Sequence, residues 1–378
     1  MNETNNPSLP KILIAPGAFK HALTAIEVAQ AIQRGIQRSG WAVETDLMPL
    51  ADGGNGTLDA FLWHGGSRES ISVLNPIGES IEADFARIGN IAIIESALAS
   101  GIECLRVPDP MRASTYGTGQ LMQAALQRGA RRVIIGLGGS ASTDGGAGAL
   151  MALGARLLDR HGQTIPLGGV GLRDLTTIDL TGIDPRWHNV EVILATDVDR
   201  PALGDQGAAR TFAKQKGATP DQVETLEQGI AHWLTQLEAA TGRSVRDLPG
   251  SGAAGATAAG LLAAIGGRIE SGIDLLLDHA QFDAIIGQVS YVITGEGRLD
   301  SQSLAGKTPI GVARRARLHG VKTIAIVGAL AVAETDLRQA GLWAALPILI
   351  EPMSLAESIA HSADLIERAA LRLGHLLS

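Results

Sequence analysis

Glu296, Arg298, Asp300, Ser303 and Lys307 stand within one short stretch, Gly295–Pro309, which supplies charge of both signs at close spacing. Gly295 and Gly297 bracket Glu296 and let the backbone approach a ligand closely. The apolar run Tyr291–Thr294 ahead of it reads as a buried strand, and Thr308 and Pro309 read as N-cap and first position of a helix running to about Leu318. Lys307 then sits at a helix N-terminus, where backbone N–H groups and the macrodipole favour phosphate. Other loops carry related chemistry. Asp52-Gly-Gly-Asn-Gly56 offers a carboxylate for a metal or a substrate hydroxyl, and Gly138–Gly146 reads as an anion cradle. Asp197 and Asp199, two positions apart after an apolar run, have the chemistry to hold Mg²⁺ or to act as a base, and Lys20 closes a loop after the first strand. Each has a plainer reading: a turn, a helix–sheet packing loop, an Asx-turn pair, a solvated lysine. Taken together, acids, glycine cradles, lysine and arginine, with no obvious Ser–His pair, fit phosphoryl transfer. That catalysis is positioning and charge neutralisation, with Mg²⁺ and cations on the phosphates and a carboxylate orienting the hydroxyl.

Several familiar motifs fail. Ser301–Thr308 nearly matches the phosphate-binding pattern G-x-x-x-x-G-K-[ST], but Ser301 stands at the first glycine. No G-x-G-x-x-G opens a helix with an acid ~20 residues on, so dinucleotide binding is unsupported. The nine histidines show no H-x-x-x-H or H-E-x-x-H spacing, and zinc is not expected.

The elements that must position these loops follow a strand–helix grammar. Strands are expected near 11–15, 43–50, 291–294, 322–327 and 344–350, alternating with helices, two of which open on the capping boxes Thr24–Glu27 and Ser354–Glu357. Five parallel strands of this kind fit a flavodoxin-like doubly wound α/β sheet. From about Ser70 strand-like pieces crowd together, and the middle of the chain reads as a second α/β domain inserted into the first. The expected bounds are 1–67 with 286–378 for the first domain and 68–285 for the insert. Ligands of open α/β sheets bind beyond the carboxyl ends of the strands, where these polar loops fall, so a cleft between two domains is expected.

Composition sets limits. The 378 residues suggest two domains, and 45% apolar content is ample for their cores. A net charge of −8 argues against nucleic acid as the main partner. One cysteine, Cys104, forbids an internal disulfide and fits a reducing compartment. The N-terminus is polar and lacks the features of a signal peptide, and no apolar run reaches ~18 residues. A cytoplasmic protein acting on small molecules, with no membrane or nucleic-acid partner, is the expectation; an oligomer stays open.

The loops resemble those of the bacterial glycerate kinases of the two-domain α/β, glycerate 2-kinase-like type. The stretches that carry the resemblance are Ile14–Lys20, Ala51–Thr57, Gly136–Gly148, Ala195–Asp199, Pro249–Gly255 and Thr294–Pro309, in family order over nearly the whole chain. The resemblance implies a flavodoxin-like domain with an inserted α/β domain. It also implies ATP- and Mg²⁺-dependent phosphorylation of D-glycerate, with 2-phosphoglycerate as the expected product. Formation of 3-phosphoglycerate, a kinase of another small hydroxy acid, and a non-catalytic small-anion sensor are the rivals. On this reading Asp197 is the first choice for the hydroxyl-orienting base and Asp52 the next. Glu296 and Asp300 are the candidates for Mg²⁺, and Lys20, Arg298 and Ser303 for the substrate, whose carboxylate an arginine fork suits. Gly138, Gly139, Ser140, Gly295, Gly306 and Lys307 are the candidates for nucleotide phosphate. Many members have Asp-Ser where this chain has Gly17-Ala18, and Glu where it has Asn55.

Overall fold

Thirteen strands punctuate the described residues: β1 (Lys11–Ile14), β2 (Glu44–Leu47), β3 (Ser67–Leu74), β4 (Ser80–Ile88), β5 (Ile91–Glu95), β6 (Arg132–Gly136), β7 (Arg156–Leu158), β8 (Thr177–Asp179), β9 (Glu191–Ala195), β10 (Arg268–Glu270), β11 (Tyr291–Leu299), β12 (Lys322–Leu330) and β13 (Ala344–Pro347). The computed structural model describes residues 9–378; the stretch before them, read above as polar and without a signal peptide, lies outside the described residues. Two compact units emerge. The described residues up to Asp52 join Ile273–Ser378 in the first, and Gly53–Gly272 form the second.

In the first unit, five parallel strands are ordered β13-β12-β11-β1-β2, the 2-1-3-4-5 order of a flavodoxin-like sheet. Its strands are apolar because helices cover both faces. On one face lies the helix Ala25–Arg38, started by the Thr24/Glu27 capping box. Its Val28, Ile32 and Ile36 are fully buried, each contributing about 1.5–3 kcal/mol of burial. They pack with Leu365, Ile366 and Leu373 of the terminal helix Ser362–Leu377. On the other face, Ile310 and Ala313 of the helix Thr308–Leu318 meet Val327 and Leu337.

The second unit has its own sheet, ordered β10-β9-β6-β5-β4-β3. β3, β4 and β5 form an antiparallel meander, and β5, β6, β9 and β10 run parallel. Its core holds Phe85, Ile135, Leu194, Trp187 and Trp233.

Several expectations shift. The unit boundaries fall at 52/53 and 272/273, not at 67/68 and 285/286, because the helix Thr57–Trp63 packs on β4 and β5 while Ile273 packs under Gly311. β11 runs on to Leu299, so Glu296 and Arg298 stand on a strand rather than in a loop. Gly295, read as part of a loop, instead joins Gly328 in letting β11 and β12 approach, since a Cβ at either would collide with a carbonyl of the neighbouring strand. β7 falls within the strand expected at 155–158, whereas β8 and β10 were not expected, being too short to show a period. The last helix is broken, with Leu355–Ala360 ending at His361 before Ser362–Leu377 begins. Among the described residues no helix is long and apolar enough to cross a membrane.

Candidate active site

In the first unit the functional side chains gather where β1 and β11 end. The loop after β1 is tied to β11 by hydrogen bonds from Ala15 N to Ile293 O (2.7 Å), Gly17 N to Gly295 O (2.8 Å) and Thr294 Oγ1 to Ala15 O (2.8 Å). Gly297 packs against the backbone of Phe19 and Lys20, which sets that part of the loop against β11. Lys20 is exposed. Arg298 also points to solvent and pairs with Asp300 at 3.3 Å.

Glu296 is the centre of this cluster. It is only 9% exposed, and its Oε1 is buried with no hydrogen-bond partner. Burial pushes its carboxyl up to about 7 against the opposing pull of Ser303 and Lys307, and the Asp52 and Asp300 charges push the same way as burial. Asp52, Asp300, Ser303 and Lys307 are thus all within electrostatic or hydrogen-bond reach of one carboxylate.

Two of the expected ligands prove to be engaged elsewhere. Asp300 Oδ1 accepts from the backbone N–H groups of Gln302 (3.0 Å) and Ser303 (3.3 Å), and its Oδ2 faces Arg298. Ser303 is fully buried; its hydroxyl donates to Arg298 O (3.2 Å) and accepts from Asp300 N (3.2 Å). Asp300 and Ser303 therefore build the turn that carries Lys307; the Ser303 hydroxyl is committed to that turn, and Asp300 keeps only the Oδ2 that faces Arg298 outside it. Gly306 takes φ +126 at the end of that turn, a conformation a side chain would resist.

Lys307, not Thr308, is the N-cap of the helix Thr308–Leu318, with Thr308 and Pro309 inside its first turn. A lysine cannot accept a hydrogen bond, so this helix start has no side-chain cap, and a cation sits at the positive end of the macrodipole. Both conditions are relieved by an anion. Gly17 lies against Thr308, whose side chain would be 3.2 Å from a Cβ there, so a larger residue at position 17 would require Thr308 to move.

In the second unit, the candidate loops follow β6 and β9, as expected from the sequence. Gly138 donates to Gly53 O (2.9 Å), and a Cβ on Gly138 would come within 2.5 Å of Gly54 Cα. Gly53 in turn abuts the Ala195 carbonyl at the end of β9. The glycines at 53, 54, 136 and 138 thus serve close packing of two loops, and the Gly138 N–H is already used. Gly139 takes φ +77 and accepts from Ile102 N (3.1 Å). Asp144, fully buried, organises the loop by accepting from Thr115 N (2.8 Å), Thr115 Oγ1 (2.9 Å), Gly146 N (3.2 Å) and Gly148 N (3.3 Å). Asp197 is half-buried just past β9, whereas Asp199 is exposed and faces Arg200. Glu95, at the end of β5, accepts from Gly56 N (3.1 Å) and Leu58 N (3.0 Å), capping the helix Thr57–Trp63, and burial pushes its carboxyl up to about 7.

Two features were missed. Lys216 is 4% exposed, with its Nζ donating to Ser140 Oγ (3.1 Å) and to Ser142 O. Nothing in its polar neighbourhood, Lys214-Gln-Lys216-Gly217, signals burial. The segment Ala254–Ala256 is left-handed at three consecutive residues, two of them alanines, and packs on the same loop through Gly145 N to Gly255 O (3.0 Å). Left-handed non-glycine residues cost about 1–2 kcal/mol each, and such strain concentrates at functional sites. Cys104 is half-buried, its thiol donates to Ala97 O, and burial raises its pKa, which suits packing rather than nucleophilic chemistry.

Among the described residues no three His, Cys, Asp or Glu side chains gather as an all-protein metal cage. Mg²⁺ commonly takes only one or two carboxylates, with phosphate and water oxygens completing its shell. The orphaned Glu296 Oε1, with the Asp52 charge nearby, fits that need; Asp300 has Oδ1 bound into its turn and Oδ2 facing Arg298.

The sequence and the fold agree with known proteins along nearly their whole length. The Glycerate kinase family model matches residues 12–378. A glycerate kinase of Bacillus subtilis is 42% identical over 366 residues, covering 95% of this chain and 96% of that protein. A glycerate 2-kinase of Escherichia coli is 39% identical over 373 residues, covering 97% and 98%. A crystal structure assigned as glycerate kinase 2 from Salmonella typhimurium LT2 superposes with a TM-score of 0.83 at 37% identity, covering 98% of each chain. Similarity of this extent, over both units and all the loops just described, shows that the chain belongs to the glycerate kinase family and is a kinase.

Proposed function

We propose that the enzyme transfers the γ-phosphoryl group of ATP to the 2-hydroxyl of D-glycerate in a Mg²⁺-dependent reaction, giving 2-phosphoglycerate. The observation that carries this reading is the buried Glu296 carboxylate with its unpartnered Oε1, set beside a lysine at an uncapped helix N-terminus. A buried carboxyl lifted to about 7 is destabilised as an anion until a cation joins it. Glu296, assisted by Asp52, is the group that would hold Mg²⁺, which would supply charge neutralisation for the phosphates.

The chain's own residues then have separate tasks. Lys307 and the first N–H groups of its helix take a phosphoryl group, whose charge they meet without reorganisation. Lys20 and Arg298, both solvent-facing, take the glycerate carboxylate, Arg298 exchanging its exposed pairing with Asp300 for the substrate. Asp197 is the first choice for orienting the attacking hydroxyl and Asp52 the second. The Gly138–Ser140 loop contributes the Ser140 hydroxyl to nucleotide phosphate, while its glycines maintain the packing that holds it. The 2-hydroxyl is favoured by the name of the Escherichia coli relative. The absence of a long apolar helix among the described residues and the single cysteine support a cytoplasmic enzyme.

The test is incubation with ATP, Mg²⁺ and D-glycerate, which yields ADP and a phosphoglycerate and stops when Mg²⁺ is chelated. Phosphorus NMR separates the 2- from the 3-phosphate. The 3-phosphate overturns the regiochemistry alone. Turnover with another hydroxy acid but not with glycerate reassigns the substrate, and the Gly17–Thr308 contact is then the first place where specificity has moved.

A further inference from the structure

The loop after β6 is braced from behind by a cation. After the irregular stretch that follows β9, the chain forms a π-turn, Ala209–Ala213, continues as a short 3-10 turn, Lys214–Lys216, and reverses at Gly217 with φ +96. π-Turns are rare, and those that occur are frequently at functional sites. Here it is followed by Lys216, whose ammonium is driven into the second unit's interior rather than into water.

The partners of that ammonium are neutral. It donates to Ser140 Oγ and to the Ser142 carbonyl, and among the described residues it forms no ion pair. The Asp144 carboxylate acts on it only through space and is itself saturated by Thr115, Gly146 and Gly148. A buried ammonium with only neutral contacts is incompletely compensated. Consistent with that, burial draws its pKa down to about 8. The loop in front of it also carries two hydroxyls, Ser142 Oγ and Thr143 Oγ1, that are buried without partners. Buried positive charge and unmatched hydroxyls converge on one segment, and an anion there would answer the charge and accept from a hydroxyl.

We propose that Lys216 is a positioning residue for the nucleotide: by donating to Ser140 Oγ it occupies that oxygen's lone pair, leaves the Ser140 hydroxyl proton to donate to a phosphate oxygen, and places a positive charge directly behind it. This rests on the reading that the Gly138–Ser140 loop meets nucleotide phosphate. The role differs from that of a lysine touching substrate, because Lys216 reaches the phosphate through Ser140. It also explains why a lysine is buried at all, which an apolar side chain of similar length would do without a desolvation penalty.

The experiment is a double-mutant cycle with Lys216→Met and Ser140→Ala on the full-length enzyme, reading the Kd for ADP by calorimetry, the KM for glycerate and the Tm. Loss of a charge-assisted hydrogen-bond chain predicts ADP binding weakened about 10- to 100-fold in each single variant, with glycerate KM changed less than about twofold. Acting through one hydroxyl predicts that the double variant is no weaker than the worse single variant. Three results overturn the proposal. Losses that multiply in the double variant mean that Lys216 acts without Ser140. Equal damage to ADP and glycerate binding, or a lowered Tm with unchanged ADP affinity, leaves Lys216 as a purely structural group. Weakening by Ser140→Ala but not by Lys216→Met removes Lys216 and keeps the loop. If neither variant weakens ADP binding, the phosphate reading of the loop has failed, and Lys216 with it. Should Lys216→Met not fold, Lys216→Gln keeps a neutral donor of similar reach; the proposal then expects ADP affinity between wild type and Ser140→Ala, and wild-type affinity overturns it.

Discussion

Burial lifts the Glu296 carboxyl to about 7, from an ordinary 4.5. The folded protein therefore keeps a proton that the unfolded chain releases between those values. The stability this group contributes is complete below pH 4.5 and is lost as pH rises to about 7. Glu296→Gln is neutral throughout and escapes the loss. In the absence of substrates, the unfolding free energy of the variant minus that of wild type should rise across this window by on the order of 3 kcal/mol, measured by denaturant titration at several pH values. A difference that stays flat with pH would mean that the carboxylate is solvated after all. The same variant should lose activity, since the group it removes is the metal candidate. Lys307 makes a complementary case. Its charge opposes the helix dipole, so its removal should leave Tm unchanged or slightly higher while kcat/KM falls roughly 100-fold, about 3 kcal/mol of transition-state stabilisation. Near wild-type turnover in a folded Lys307→Ala enzyme rules out its phosphate role.

Among the elements, the loop that follows β2 shows how glycine serves a site without touching a ligand. Gly53 has φ +90, and a Cβ there would lie 2.6 Å from the Ala195 carbonyl at the end of β9. Gly56 has φ +88 but faces open space. Gly56→Ala should therefore cost only the left-handed penalty, about 1–2 kcal/mol. Gly53→Ala adds a backbone collision and should cost at least ~1 kcal/mol more. It should also disturb the strand end that carries Asp197, lowering kcat beyond what the lost stability accounts for. Chemical denaturation of the two variants side by side checks the order; equal losses would show that the loop has room to shift. The strand β11 makes the same point in reverse, because its glycines read as a flexible loop yet allow a tight parallel pair with β12.

For the molecule as a whole, the discontinuous first unit and the continuous second unit each hold a complete core. The cluster around Phe85, Leu194, Trp187 and Trp233 lies within 53–272, and the clusters around Ile32, Ile293 and Ile366 and around Val327 belong to the first unit. A six-stranded sheet with its own buried tryptophans, in a segment of this length, has enough core to fold alone. Residues 53–272 expressed by themselves should unfold cooperatively on heating, with native-like dispersion in an amide NMR spectrum. A collapsed product without a cooperative transition would show that the second unit depends on the first.

Side-chain periodicity and caps are local properties of a chain, and the strand–helix alternation, the capping boxes at Thr24 and Ser354 and the flavodoxin-like grammar were legible for that reason. Spacing of glycines and acids is also written along the chain, so the loops that carry the family likeness could be read without coordinates. Whether a polar group in such a loop is free is a different matter, because its partners come from elsewhere or from a turn whose geometry composition does not show. Asp300 and Ser303 have the chemistry of ligands but are bound into one turn. Glu296, expected in a solvated loop, is on a buried strand with an oxygen unmatched. Lys216 has no local mark at all; its burial depends on Ser140, which lies 76 positions earlier, and only the folding of the chain brings such a pair together.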